Sequence, residues 1–306
     1  MDADGAGRGA ARAGAGLPRA IDAGMGASLA RSGWWLLAAA SACGDVGNAA
    51  DASPDATLAD ARVVDAPTLD AARCVAGPAS LRARWRGDGD AAEVTGVYPG
   101  TAVGGVGFAA GAHGTAFAFD GVDDAITADP ADQLWPVGSF SVEAWVKLTV
   151  LELGVTYAPL VGKYDCGGAD RCGASHWYLY VTDAGFPHFE IRVPGTTTAS
   201  ATATTTTIVD GAWHHLVGVR DVAQRQLALY VDGAVAVTVP LAPAFLGAMT
   251  DDGASDPVTI GAGRASGTNA LSFEFVGAID DPAYYIEALA PAQIAAAAAA
   301  PDGYCP

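Results

Sequence analysis

Carboxylates are the most abundant groups in this chain that could take part in chemistry. The 306 residues include 34 Asp and Glu against 16 Lys and Arg, a formal net charge of −18, and all but six of the acidic residues are Asp. Asp is typical of loops and turns, because its side chain bonds to the nearby backbone there. The same oxygen atoms suit Ca²⁺ as ligands. Turns and calcium are therefore two interpretations of the excess of Asp.

Motifs for catalysis are absent from the sequence. It contains neither a G-x-S-x-G nucleophile motif nor an H-E-x-x-H metal helix. His214 and His215 are neighbours in a predicted strand, so their side chains point to opposite faces and cannot bind one metal ion together. The acidic balance also argues against nucleic acid and against polybasic contact with anionic lipid.

Three aromatic residues, Trp177, Tyr178 and Tyr180, lie close together in another predicted strand. One interpretation is an exposed aromatic platform on which a ligand stacks. The alternative is packing within the core or on the sheet, where aromatic residues are common. We predict these three residues as ligand-binding candidates.

The first 73 residues predict export rather than a folded domain. Residues 1–43 comprise a disordered start and a signal peptide, whose apolar run 33–40 is too short to span a bilayer. The run ends at Ala40-Ser41-Ala42-Cys43, which resembles the lipobox of bacterial lipoproteins and makes Cys43 a candidate for lipidation. Residues 44–73, rich in Ala, Asp and Pro, predict a disordered spacer. Ordinary signal cleavage with release is the alternative.

Four cysteines remain once Cys43 is set aside, and four allow three pairings. Cys166 and Cys172 lie six residues apart in a Gly-rich loop, which favours a bond between them. Cys74 opens and Cys305 closes the region 74–306, and the ends of domains are often neighbours. These positions favour a second disulfide, Cys74–Cys305, in an oxidising compartment.

The elements that position these groups are predicted to be short strands. Asp232-Gly233, between two runs rich in Val and Leu, predicts a two-residue hairpin in which Val231 faces Ala234 and Ala228 faces Val237. Residues 139–148 alternate between apolar and polar, whereas the Gly-rich residues 103–112 read as a loop. About a dozen such strands and one helix near 290–300 predict an all-β antiparallel sandwich.

Four blocks of this sequence together resemble the LamG-like jelly roll, the laminin-G branch of the concanavalin A-like lectin/glucanase fold. They follow the order of that family: residues 119–124 with 139–146, Trp213-His214-His215-Leu216-Val217 with 229–233, 260–261 with 275–281, and 284–294. The resemblance covers residues 74–305 and implies two stacked antiparallel sheets, with one short helix at the C-terminal end.

The resemblance also implies a calcium site, because relatives of this kind often hold Ca²⁺ in loops at the rim of the sandwich. Asp120, Asp123 and Asp281 occupy the matching turn and closing strand, and Asp88 is a further candidate ligand. Carboxylates in such a cluster would repel one another without a cation.

Catalysis is not expected, although some relatives with this fold are glycosidases. The retaining glucanases carry E-x-D-x-x-E, whereas no Glu here is followed two residues on by Asp. Glu143 matches a position that is commonly structural. The resemblance thus implies a non-catalytic module that binds carbohydrate, and the export signals with Cys43 place it on an outer-membrane or cell-surface lipoprotein as an expectation. The alternatives are a structural module that binds envelope proteins, a secreted or periplasmic protein, and a diverged glycosidase or lyase.

Overall fold

The structure is a computed structural model that describes residues 73–129, 131–151, 156–164, 175–249, 256–264, 270–272 and 275–305. All of them belong to one unit, Val64–Pro306. The predicted signal peptide, Cys43, nearly all of the predicted spacer and the predicted Cys166–Cys172 pair lie outside the described residues. Within these ranges, no helix has the length and apolar character that a bilayer crossing requires.

The described residues form short strands and one α-helix. The strands are β1 (Leu81–Arg84), β2 (Gly100–Val103), β3 (Gly107–Ala110), β4 (Thr115–Asp120), β5 (Ala125–Ala128), β6 (Phe140–Lys147), β7 (Tyr157–Tyr164), β8 (His176–Thr182), β9 (Pro187–Arg192), β10 (Thr198–Thr202), β11 (His214–Asp221), β12 (Gln226–Val231), β13 (Ala234–Pro240), β14 (Val258–Ile260), β15 (Gly263–Arg264), β16 (Leu271–Ser272) and β17 (Val276–Tyr285). Helix α1 spans Pro291–Ala299, and 3₁₀ turns lie at Asp132–Leu134 and Pro243–Leu246.

Two antiparallel sheets make the body of the fold. The eight-stranded sheet has the order β13-β12-β11-β6-β17-β4-β3, and β1 also pairs with β17. The seven-stranded sheet has the order β10-β9-β8-β7-β14-β5-β2, and β15 and β16 form a small ribbon. The predicted all-β sandwich with one C-terminal helix is confirmed.

The core lies between the two sheets, because alternate residues of each strand point inward. In β6 the buried inward residues include Val142, Ala144 and Val146, and in β8 they include Leu179 and Val181. A smaller cluster lies where α1 covers the outer face of the eight-stranded sheet, through Val217, Val219, Tyr230, Tyr285 and Ile294.

The predicted hairpin between β12 and β13 is present. Asp232 and Gly233 both have positive φ, 51° and 79°, as a type I′ turn requires. Val231 faces Ala234 as expected, but Ala228 faces Thr238 instead of Val237. The register shifts by one residue at a bulge between Leu229 and Tyr230. A bulge of this kind adds one residue to one strand, and the sequence gives no signal for it.

The ends of the folded region meet. Cys74 and Cys305 form the predicted disulfide, with Cα atoms 5.0 Å apart. Beside it, Val75 pairs with Tyr304 in a parallel bridge, and Arg73 forms an exposed ion pair with Asp302 at 2.8 Å.

Candidate functional site

The outer face of the seven-stranded sheet carries a cluster of tyrosine, histidine and glutamate side chains. In β8, Trp177, Leu179 and Val181 belong to the core, so the alternating residues His176, Tyr178 and Tyr180 point outward. We call this surface the tyrosine face, and its members are Tyr157, Tyr164, His176, Tyr178, Tyr180, His188 and Glu190.

Tyr178 is the packed centre of the tyrosine face. It pairs with Gly162 across the β7–β8 ladder, and a Cβ atom at Gly162 would lie 2.2 Å from Cδ2 of Tyr178. Only glycine leaves room for the ring there. The rings of Tyr164 and Tyr157 contact Tyr178 edge-on, with centroids 4.3 and 5.6 Å away. Burial raises the pKa of Tyr178 well above its ordinary value. Tyr178 is therefore a packing residue.

Tyr157 and Tyr180 stay partly exposed on this face. The Tyr180 ring stacks on His188, with centroids 4.3 Å apart and planes 26° apart. Burial, with the charge of Glu190, raises the pKa of Tyr157 to about 12 and that of Tyr180 higher still. Both hydroxyls therefore keep their protons at neutral pH and can donate hydrogen bonds.

Glu190 lies between the histidines of the tyrosine face. Its Oε1 is 2.8 Å from Nε2 of His176, and its Oε2 accepts a 3.4 Å hydrogen bond from the Tyr180 hydroxyl. Burial alone would raise the pKa of Glu190, but the hydrogen bond with His176 and the nearby ring of His188, whose Nε2 lies 3.5 Å from Oε2 of Glu190, outweigh burial and lower the pKa to about 2. An ionised acceptor thus stands beside partly exposed aromatic rings.

The structure corrects the predicted ligand-binding set. Trp177 is fully buried in the core, and its Nε1 donates to the Leu134 carbonyl at 3.0 Å. Tyr178 is only 2% exposed. Of the three predicted residues, only Tyr180 has a partly exposed side chain. Trp177 and Tyr178 are neighbours in the strand, so at most one of them could face outward.

Tyr157, His176, His188 and Glu190 were not among the predicted site residues. A signal for three of them was available, because β8 and β9 both alternate. Taking the large apolar residues of each strand as inward would have placed His176, His188 and Glu190 together on the other face.

The turn between β4 and β5 brings together two of the predicted calcium ligands. Asp120 and Asp123 are exposed there, and with the buried Asp124 they offer oxygen atoms within 4.8 Å of one another. Asp124 accepts hydrogen bonds from the backbone N–H groups of Gly105 and Asp120. Three carboxylates fall short of the six to eight oxygen ligands that Ca²⁺ takes, so carbonyl groups or water would have to complete the site. The turn fits a cation in part, and calcium stays a prediction.

The other two predicted calcium ligands lie elsewhere, so the predicted set of four is wrong. Asp120 pairs with Val276, and Asp281 lies five residues further along β17, which is roughly 16 Å at the rise of a strand. Asp281 instead forms a two-point ion pair with Arg84, at 2.9 and 2.6 Å. Asp88 accepts a 3.1 Å hydrogen bond from the backbone N–H of Thr115.

A second acidic group, Asp280 and Asp281 with His113, also brings potential ligand atoms together. Asp280 is fully buried, and burial and the neighbouring Asp281 raise its pKa to about 7. Burial would raise the pKa of Asp281 as well, but His113 and Arg84 lower it overall. Because the Arg84 guanidinium already takes both oxygens of Asp281, this cluster has its cation.

Glu143 has a structural environment, as its position in the family implied. It is buried, and its carboxylate accepts hydrogen bonds from Nε2 of His215 at 2.6 Å, from the Tyr304 hydroxyl at 3.2 Å and from the Tyr285 hydroxyl. The neighbouring His214 instead contacts Asp210 and Asp232 in the loops.

Comparisons with solved structures agree with this architecture. Domain 4 of AbnA, a GH43 extracellular arabinanase from Geobacillus stearothermophilus solved in complex with arabinotriose, is 20% identical, with a TM-score of 0.53 over 71% of this chain and 97% of that one. The binding domain of botulinum neurotoxin serotype G is 12% identical, with a TM-score of 0.53 over 72% of this chain. This chain spans half of that domain.

A likeness at this level of identity shows a shared fold. No curated protein matches the sequence. The family model described as the concanavalin A-like lectin/glucanases superfamily matches residues 120–295, more than half of the chain. The two antiparallel sheets agree with that match, and the chain belongs to the concanavalin A-like lectin/glucanase superfamily.

Proposed function

We propose that this chain is a non-catalytic carbohydrate-binding module and that the tyrosine face holds the glycan. The observation that carries the proposal is the ionised Glu190 beside the partly exposed Tyr157 and Tyr180. A sugar ring has an apolar face that packs on aromatic rings, and hydroxyl groups that donate to a carboxylate. The arabinanase domain, solved with arabinotriose, supports a carbohydrate as the ligand class.

A binding role is favoured over glycoside cleavage. A glycosidase needs a carboxylic acid of raised pKa opposite a second carboxylate. Glu190 has a pKa of about 2, so it holds no proton to donate near neutral pH. Asp280 has the raised pKa, but its side chain has no exposed surface for a substrate to reach.

The test is glycan binding by variants of the tyrosine face. We expect Glu190→Gln and Tyr180→Ala each to weaken binding at least tenfold, because the first removes the charged acceptor and the second the stacking ring. Asp221→Asn is the matched control, since it makes the same kind of change at a partly exposed carboxylate of the other sheet. A glycan array followed by calorimetry on the best ligand measures the effect. Full affinity in both variants would contradict this site.

Calcium would assist such a module at the turn of Asp120, Asp123 and Asp124. Because a cation relieves the repulsion between carboxylates, we expect excess Ca²⁺ to raise the melting temperature relative to a chelator, and Asp123→Asn to reduce that shift. Calcium at about 100 times its dissociation constant would add about 2.7 kcal/mol to the free energy of unfolding. Identical melting with calcium and with chelator would exclude the site.

Export and lipidation of Cys43 stay predictions, and we propose an envelope location on those sequence signals. If no glycan binds, the alternative of a structural module that binds envelope proteins becomes the better one.

A further inference from the structure

A cavity of about 640 Å³ lies at the end of the sandwich where β6 begins and β17 ends. It is separate from the tyrosine face, and its lining includes Arg82, Gln133, Trp135, Val137, Ile286 and Glu287. Its volume falls within the range of small-molecule sites, and such sites combine apolar walls with a few convergent polar groups.

The loop that forms one wall of this cavity is held rigidly by the body of the protein. The Leu134 carbonyl accepts from Nε1 of Trp177 at 3.0 Å, and the Pro136 carbonyl accepts from the backbone N–H of Met249 at 2.9 Å. The Gly138 carbonyl accepts from the buried Arg220 at 2.8 Å. Hydrogen bonds from the body of the protein thus hold the carbonyl group of every second residue of this loop. A wall that is already ordered loses little entropy when a ligand binds.

Apolar side chains stand at the mouth of the cavity. Val137 is 83% exposed and Ile286 is 57% exposed. Together they give the mouth of the cavity an apolar rim on which a ligand can pack. Deeper in the wall, the indole N–H of Trp135 is buried and has no acceptor among the described residues.

The cavity wall carries one positive charge, on Arg82, and one negative charge, on Glu287. The Arg82 guanidinium donates to Oε1 of Gln133 at 2.6 Å, and Oε1 of Glu287 accepts from the Ser80 hydroxyl at 2.5 Å. Guanidinium and carboxylate groups both have further positions for hydrogen bonds. Because the charges of Arg82 and Glu287 offset each other, the wall has no net charge to select an acidic or a basic ligand, and its donors and acceptors suit a neutral ligand rich in hydroxyl groups.

We infer that this cavity is a second carbohydrate subsite, which takes a short segment of a neutral oligosaccharide. Val137 and Ile286 pack on the apolar face of the sugar, and Arg82 and Glu287 bind its hydroxyl groups. The inference rests on the proposed carbohydrate-binding function. It adds a second binding site to that function and narrows the ligand to neutral oligosaccharides.

The experiment uses the full chain and calorimetry against neutral arabino-, xylo-, gluco- and manno-oligosaccharides, with an oligogalacturonate as the acidic comparison. We expect Val137→Asp and Arg82→Met each to weaken binding of the best neutral ligand about tenfold or more. Val150→Asp is the matched control, because Val150 is also an exposed valine, at 50%, and does not line the cavity. Circular dichroism melting confirms that each variant folds.

The outcomes separate the two proposals. If the unmodified chain binds none of these oligosaccharides, the proposed function fails and the inference fails with it. If binding is lost in Glu190→Gln but is unchanged in Val137→Asp and Arg82→Met, the function stands and the cavity subsite is overturned. Equal or tighter binding of the oligogalacturonate would overturn the assignment to neutral sugars.

Discussion

Glu190, Asp280 and Asp281 are carboxyl groups with different pKa values because their neighbours differ. Glu190 is held ionised by two histidines, with a pKa of about 2. Asp281 is held ionised by His113 and Arg84. Asp280, next to it in the chain, is fully buried beside the charge of Asp281, and these two effects raise its pKa to about 7. The residues around each carboxyl group thus decide its pKa.

Asp280 predicts an unusual dependence of stability on pH. Its folded pKa of about 7 lies above an unfolded value of about 3.9. Between these values the folded protein keeps a proton that the unfolded chain releases, so this group lowers the free energy of unfolding as pH rises from about 4 to 7. The full effect is at most about 4 kcal/mol. We expect Asp280→Asn to remove it, so the gain in stability over the unmodified protein grows with pH across this window.

Urea unfolding at a series of pH values measures that difference. Asp183→Asn, a change in the exposed turn between β8 and β9, serves as the control and should give a constant offset. A stability difference between Asp280→Asn and the unmodified chain that does not vary with pH would show that Asp280 does not titrate in this range.

At the residue level, the sequence predicts the right strand and one partly exposed ring of the tyrosine face, Tyr180. Trp177, Tyr178 and Tyr180 are close in the chain, but the alternation of a strand sends Trp177 to one face and Tyr178 and Tyr180 to the other. Asp281 is a predicted calcium ligand because it matches the closing strand of the family that the sequence resembles. Its partner Arg84 is 197 residues away in the chain, and no local pattern reveals such a pair.

Elements with strong alternation or a clear turn signal were predictable. The hairpin at Asp232-Gly233 is correct apart from its bulge, and β6 lies where the alternation of residues 139–148 predicts a strand. Strand β3 (Gly107–Ala110) was missed, because its Gly and Ala residues read as a loop. It is a strand because it pairs with β4 at the edge of the sheet, and strand formation depends strongly on such context.

The turn between β12 and β13 lies against helix α1 at Gly233. A single added methyl group at Gly233 is therefore expected to lower the stability of the protein strongly. A Cβ atom at Gly233 would lie 2.9 Å from Cβ of Ala298 in α1, and φ is +79° there. We expect Gly233→Ala to lower the free energy of unfolding through both backbone strain, about 1–2 kcal/mol, and overpacking, about 1–3 kcal/mol. Urea unfolding measures the total.

Gly195→Ala isolates the backbone contribution. Gly195 has a similar φ of +76°, but a Cβ atom there would meet nothing within 4 Å. Gly233→Ala should therefore be the more destabilising of the two changes. Equal losses in the free energy of unfolding would mean that α1 moves away from the added methyl group at no energetic cost.

At the scale of the whole molecule, the disulfide between the ends is the strongest restriction on the unfolded chain. Cys74 and Cys305 are 231 residues apart in the sequence, and the loop-entropy model gives about 5 kcal/mol for a loop of that length. We expect the double variant Cys74→Ser, Cys305→Ser to lose several kcal/mol in the free energy of unfolding, measured by urea. The unmodified chain under a reductant should lose a similar amount. No loss in the double variant would contradict the entropy model here.

The sheet order is the part of the molecule that the sequence leaves open. A two-layer sandwich follows from many short strands with turns between them, but β6 lies between β11 and β17, and all three are far apart in the chain. These pairings decide which loops meet at the ends of the sandwich. They therefore also decide where the cavity beside Val137 and Ile286 forms.

The meeting of Cys74 and Cys305 has a consequence for how this fold can be used. A polypeptide that leaves its domain within 5.0 Å of where it entered can be spliced into a surface loop of an unrelated host with little disturbance of that host. Inserted in this way, the sandwich would fold as a separate domain, joined to its host by two adjacent chain segments.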